Sequence, residues 1–305
     1  MSKFVPLALL VPFLLACQSA EEGNSPAGKP SIVATTGMIA DSARRIAGDL
    51  ATVEALMGSG VDPHLYKASE SDVRRLSQAD LILYNGLHLE GKMGDVLSKM
   101  SASRKVVAVA SAIPEAELRS PPEFQGQHDP HIWFDVGLWA RTLAPITEAL
   151  AEIDPQHAAT YRANAARYGE ELTALDAWVE GEIRSIPEGQ RVLVTAHDAF
   201  GYFGRRYGME VVGLQGISTL SEAGLSDVDR VVSLVSSRAI KAIFVESSVP
   251  KRSIEAVQAA CRARGHEVAI GGQLFSDAMG APATPEGTYP GMVRANVATI
   301  TKALR

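Results

Sequence analysis

Seven histidines occur in the 305-residue chain, and three of them stand where an α/β protein gathers its functional groups. His64 lies in Val61-Asp62-Pro63-His64-Leu65-Tyr66, His131 in His128-Asp129-Pro130-His131-Ile132-Trp133-Phe134-Asp135, and His197 directly after the run Val192-Leu193-Val194-Thr195-Ala196. A carboxylate, Asp277, follows in Leu274-Phe275-Ser276-Asp277. Neutral imidazole nitrogen suits first-row divalent metals, and a carboxylate adds a hard anionic oxygen. Three His and one Asp fill a tetrahedral shell with Zn–N bonds of ~2.0–2.1 Å, leaving no position for an activated water. Such a site would bind and release a metal rather than catalyse with it. Residue type and position alone leave a plainer reading open. A histidine at a strand end is often a hydrogen-bonding group, Asp277 also suits a cap, and no dense local pattern such as H-E-x-x-H gathers the four.

The elements that must position these residues read as strands alternating with helices. Strands are expected at Ser31–Thr35, Val53–Met57, Leu81–Tyr84, Val106–Val109, Val192–Thr195, Glu210–Leu214, Ala242–Val245 and Glu267–Gly271. Helical patterns occupy Met38–Ala47, Ser71–Gln78, Val228–Ser236 and Lys251–Arg264. Unbroken apolar runs such as Ala242-Ile243-Phe244-Val245 indicate strands buried on both faces. The alternation occurs twice, so the fold class is α/β with two lobes, each a parallel sheet flanked by helices. In such sheets ligands collect beyond the carboxyl ends of the strands, where residues distant in sequence converge. Between the two sets, Tyr161, Ala165, Tyr168, Leu172, Leu175 and Val179 form one helical stripe, with Asp154-Pro155 as its start signal. One long connecting helix is expected there, since Gly169 and Gly181 each cost only ~1 kcal/mol against Ala.

Residues 1–16 read as a signal peptide, with Lys3 before an apolar run too short to span a bilayer as a helix. Leu14-Leu15-Ala16-Cys17 resembles the lipobox of bacterial lipoproteins, which implies lipidation of Cys17. Residues 17–30, polar and rich in Gly and Pro, form a flexible tether. The folded body then divides into 31–153, a connecting helix over 154–187, and 188–305. Cys261 is left alone, so no intramolecular disulfide is available. A net charge of -6 with scattered Lys and Arg argues against nucleic acid as a partner.

Six ordered segments resemble one family. They are Asp62-Pro63-His64-Leu65-Tyr66 with Ser71-Asp72, Tyr84-Asn85-Gly86-Leu87-His88-Leu89-Glu90, Asp129-Pro130-His131-Ile132-Trp133-Phe134-Asp135, Thr195-Ala196-His197-Asp198-Ala199-Phe200, Phe244-Val245-Glu246-Ser247-Ser248 and Leu274-Phe275-Ser276-Asp277-Ala278. The family is the zinc/manganese solute-binding proteins of bacterial ABC importers, and the likeness runs from about residue 31 to the C-terminus. It implies two lobes bridged by one long helix and a metal buried between them. His64 and His131 would come from the first lobe, His197 and Asp277 from the second. It further implies capture of Zn2+ or Mn2+ outside the cytoplasmic membrane and delivery to an ABC permease driven by a cytoplasmic ATPase. The lipid anchor would hold the protein near the membrane, on its outer side or in a periplasm, and the chain is expected to be a monomer. Manganese receptors of the family often carry Glu where His197 stands, and three imidazoles favour zinc by softness. The His-rich loop of many zinc receptors is missing from Ser120–Gln127. Zinc is therefore favoured, with manganese close behind.

Asp198 and Glu246 are candidates to orient ligand histidines from behind, with structural hydrogen bonding as the equal alternative. Asp62 is expected to stiffen its turn. His128 reads as an exposed loop residue, and His88, His157 and His266 as structural or solvated. Gly86-Leu87-His88-Leu89-Glu90-Gly91-Lys92 misses the phosphate-binding loop because Met93 replaces the required Ser or Thr. No enzyme is expected: a Ser-based hydrolase lacks a G-x-S-x-G elbow. A metal-dependent hydrolase with Glu246 as base, or a lipid-anchored adhesin with incidental metal, are the rival classes. Ligands drawn from both sides of a stiff connector imply that release needs only a modest shift of His197 and Asp277.

Overall fold

The computed structural model describes Met1, residues 28–124 and residues 126–305. The signal peptide over 1–16, Cys17 and most of the 17–30 tether lie outside the described residues. No described helix is long and apolar enough to cross a membrane.

Four short strands, β1 (Ser31–Ala34), β2 (Thr52–Ala55), β3 (Leu81–Tyr84) and β4 (Lys105–Ala108), form a parallel sheet in the order β2-β1-β3-β4. Ile32 pairs with both Val53 and Leu81, and Ile82 pairs with Val106. The crossovers are α1 (Gly37–Ala47), α2 (Glu70–Gln78) and α3 (Gly94–Met100). Helix α2 begins at a capping box in which the Ser69 hydroxyl accepts from the Asp72 amide and Asp72 accepts from the Ser69 amide. After β4 come α4 (Val136–Arg141) and α5 (Leu143–Ile153).

The connecting helix, α6 (Ala158–Arg184), runs unbroken for 27 residues through Gly169 and Gly181, about 40 Å at 1.5 Å per residue. It buries the expected stripe of Tyr161, Tyr168, Leu172, Leu175 and Val179 and adds Ile183. Its first turn differs from the expectation. Pro155–His157 is a 3-10 turn, and the Asp154 carboxylate accepts from Tyr161 Oη at 2.5 Å and His157 Nδ1 at 2.7 Å instead of capping the backbone.

The second half repeats the strand–helix alternation with β5 (Val192–His197), α7 (Gly201–Tyr207), β6 (Glu210–Gln215), α8 (Leu225–Ser237), β7 (Ala242–Glu246), α9 (Arg252–Ala263) and β8 (Ala269–Leu274). Its strands pair in parallel as β5 with β6 and β7 with β8, and β5 lies beside β7. Strand β8 sits two to three residues later than its sequence suggests. A bulge shifts its register between Ile243 and Phe244, and the Phe244 ring occupies the space a side chain at Gly271 would need.

Alternation along the strands explains where the core lies. Ile32, Ala34, Leu81 and Leu83 face one apolar cluster, and Val33 and Ile82 face another. Leu193, Ala242 and Phe244 of the second half face that same first cluster, while Val192, Val194, Ile243 and Val245 face a third. The two halves therefore share one continuous core, filled by the buried stripe of α6. The final helix, α10 (Tyr289–Leu304), packs on β8, α6 and α1. There the Tyr289 amide donates to Asp41 Oδ2 at 2.9 Å and Tyr289 Oη donates to the Trp133 carbonyl at 2.8 Å.

Leu172 is fully buried in this shared cluster. Leu172→Ala should cost about 2–5 kcal/mol. Because the core is continuous, urea unfolding of the metal-free protein should remain one transition. Separate transitions for the two halves would contradict a shared core.

Candidate metal centre

One of the four sequence-selected residues ends a strand, and the other three lie in connections that follow strands. His64 sits in the loop between β2 and α2, His131 in the connection from β4 to α4, His197 at the last position of β5, and Asp277 three residues beyond β8. All four are buried, and one ligand atom from each falls within 4.8 Å of the others. His64 Nε2 is 3.3 Å from His131 Nε2. Asp277 Oδ1 lies 3.4 Å from His131 Nε2, and Oδ2 lies 3.3 Å from His197 Nε2 and 3.9 Å from His64 Nε2. Ligand atoms bound tetrahedrally at 2.0–2.1 Å stand about 3.3 Å apart, so most of these separations already match a shared ion. Among the described residues, His197 Nε2 and both Asp277 oxygens are buried without a hydrogen-bond partner. Orphaned buried polar atoms are costly in an apoprotein, and a divalent cation would satisfy all three.

Two histidines are held from behind by carboxylates. Asp129 Oδ1 accepts from His131 Nδ1 at 2.7 Å and from the His131 amide at 3.0 Å, while its Oδ2 pairs with Arg119. Glu246 accepts from His197 Nδ1 at 2.5 Å and from the His197 amide at 2.8 Å. These bonds fix the tautomer that directs each Nε2 inward. His64 has no such carboxylate behind its ring among the described residues. Its amide instead donates to Asp62 Oδ1 at 2.8 Å. Across the two halves, Trp133 Nε1 donates to the Ser276 carbonyl at 3.0 Å, tying the neighbourhood of His131 to that of Asp277. Tyr202 Oη donates to the Asp129 carbonyl at 2.9 Å and accepts from the Arg119 amide at 3.0 Å. The Arg119 guanidinium lies where a side chain at Gly201 would stand, so glycine there lets it reach Asp129.

Of the two candidate orienting residues, Glu246 bonds the His197 ring and Asp198 bonds no site histidine among the described residues. Asp198 follows the last residue of β5 and stands against Gly213 of β6. Asp62 does stiffen its turn, as expected. The orienting role of Asp129 was missed. Its signal was present, because Asp-Pro-His occurs at both 62–64 and 129–131, and in both copies the Asp accepts the His amide. The remaining histidines lie elsewhere. His128 contacts Ser120, His157 contacts Asp154, His266 contacts the Ile240 carbonyl, and His88 lines a cleft beside the 86–94 loop.

Burial drives the His64 pKa down to about 3, so that ring is neutral. Burial also lowers His131, but the hydrogen bond to Asp129 and the nearby Asp277 carboxylate outweigh it and raise the pKa to about 9. Burial likewise opposes charge on His197, yet Asp277 and Glu246 hold it well above the ordinary value. Burial would raise Asp277, but His197 and His131 keep it well below the usual carboxylate range. The carboxylates around His131 and His197 thus favour their charged forms, and an arriving divalent cation competes with protons for the same inner nitrogens.

This fold, with an enclosed three-histidine, one-aspartate cage, defines a metal-binding substrate-binding component of an ABC transporter. The family described as "Zinc-uptake complex component A periplasmic" matches residues 32–303, and the chain belongs to it. The manganese-binding lipoprotein MntA of Bacillus subtilis is 51% identical over 293 residues, 96% of this chain and 95% of that protein. The zinc-binding protein TroA of Treponema pallidum is 51% identical over 277 residues, 91% of this chain and 89% of that protein. The solved structure of periplasmic TroA superposes with a TM-score of 0.89, covering 91% of this chain and 99% of that one.

Asp129→Asn and Glu246→Gln should each weaken zinc binding about 10- to 100-fold in chelator competition. Affinity should fall about 100-fold or more from pH 8 to pH 6, because metal must displace protons from His131 and His197, whose pKa values are raised. Calorimetry in buffers of different ionisation enthalpy should register that proton release. A pH-independent affinity would contradict histidine ligation.

Proposed function

We propose that His64, His131, His197 and Asp277 together hold one divalent cation as cargo, with Asp129 and Glu246 orienting two of the imidazoles. The convergence of these four buried side chains, with orphaned Asp277 oxygens at its centre, carries this reading. In domain terms, residues 31–153 supply His64 and His131, residues 154–187 connect, and residues 188–305 supply His197 and Asp277. Both Glu246 oxygens are engaged by His197, which leaves this carboxylate poorly placed to activate a water. That favours carriage of the ion over hydrolysis.

Zinc is the favoured cargo and manganese a close second. Three imidazoles and separations near 3.3 Å suit a compact tetrahedral ion, and zinc outranks manganese in intrinsic affinity. The relatives named above are described one as manganese-binding and one as zinc-binding. In this reading the exported protein acts as a monomer, lipid-anchored through Cys17 on the outer side of the cytoplasmic membrane or in a periplasm. It hands its ion to an ABC permease powered by a cytoplasmic ATPase.

Protein purified without added metal should carry one ion per chain and prefer zinc in competition with manganese. His131→Ala should abolish stoichiometric binding, and His157→Ala, outside the site, should leave it intact. Equal occupancy in both variants would overturn the assignment. Cys17→Ser should move the protein from the membrane fraction to the soluble one.

A further inference from the structure

The three imidazoles are not anchored alike. His131 and His197 each have a carboxylate on the outer ring nitrogen and sit on stretches packed into the shared core. Among the described residues His64 has no carboxylate on its outer ring nitrogen, and its backbone amide donates to Asp62 Oδ1. The other oxygen of Asp62 faces the opposite half of the molecule, where Thr219 Oγ1 donates to it at 2.6 Å. Thr219 belongs to the 216–224 connection between β6 and α8, which has no regular secondary structure. Its side chain is buried while its neighbour Leu220 is 58% exposed, so this connection lies at the surface and turns one hydroxyl inward. Ser59 Oγ donates to the Met279 carbonyl at 2.9 Å, and Gly60 lies beside the Ser247 carbonyl. The loop that presents His64 is thus fastened to the second half at separate points, and the contact closest to the ligand is a hydrogen bond to a carboxylate.

We propose that Thr219 is a positioning residue for the cargo: through Asp62 it latches the His64 loop over the site, and opening this latch frees the ion. The proposal rests on the four-ligand reading above. It makes His64 the ligand that moves, in place of the shift of His197 and Asp277 expected from the sequence. The physical ground is the contrast in anchoring. Moving His197 or His131 would break ring bonds to buried carboxylates, leaving those carboxylates unpaired away from water. Lifting the His64 loop breaks a hydroxyl–carboxylate bond near the surface, where water can replace it. A short hydroxyl–carboxylate bond is strong enough to retain the loop, and a partner that displaces Thr219 would release it.

The test is stopped-flow zinc release from the loaded, mature protein into excess chelator. Thr219→Val should accelerate release roughly 10- to 100-fold, the range set by one hydrogen bond to a charged group, while Thr219→Ser should stay within about twofold of the parent. Asp62→Ala should also release faster, and the Asp62→Ala/Thr219→Val double variant no faster than Asp62→Ala, because both remove one latch. Parental release rates in zinc-loaded Thr219→Val, equally fast release in Thr219→Ser, or multiplying effects in the double variant would overturn the proposal. Failure of the four-ligand reading would register separately, as unchanged zinc affinity in His197→Ala, whatever the Thr219 variants do.

Discussion

Taking an ionised carboxylate and three imidazoles out of water together is the constraint on which this structure turns. Asp277 is kept charged by the very histidines it faces, and neither of its oxygens finds a hydrogen bond among the described residues. An isolated buried carboxylate of this kind is strongly disfavoured. The surrounding structure accepts that cost by holding His131 and His197 rigidly with Asp129 and Glu246. The network continues outward through Arg119 and Tyr202, so the geometry of the cage is fixed by residues that never touch the ion. A site so arranged is complementary to a small dication and to little else.

Rigidity comes from the way the halves are joined. A single strut between two independent lobes would allow wide hinge motion. Here the strands of both halves turn alternate residues onto one apolar cluster, and two helices, α6 and α10, cross it. Large opening would expose that cluster to water, at roughly 25 cal/mol for each Å². Local motion of a surface loop carries no such penalty. The different anchoring of the three histidines then becomes meaningful, since only His64 hangs on a segment outside the shared core.

Much of this was legible from residues alone. The eight strands announced themselves as short apolar runs, and three of the four metal-seeking groups stood visibly at or beyond strand ends. Glu246 stood out as a carboxylate directly after the apolar run Ala242–Val245, and the structure adds that this strand lies beside the one ending on His197. Asp198 was misleading for a simple reason: the residue next to a ligand in an extended segment faces away from it. Thr219 could not have been found, because its partner is 157 positions away and a threonine in a polar loop carries no pattern. The bulge in β8 was equally hidden, since Gly271 reads as a strand end until the Phe244 ring is seen against it. The shared core escaped notice because an amphipathic stripe reveals that a helix is buried but not against which half.

The position of α10 also bears on the order of assembly. A chain that emerges amino-terminus first presents Asp41 and Trp133 long before Tyr289 arrives to bond both. The first half therefore remains incompletely packed until nearly the last residues are available. The same holds for the cage, whose only carboxylate is also its final member. A chain that ends short of Asp277 therefore has three of the four cage residues and none of the negative charge that balances a dication.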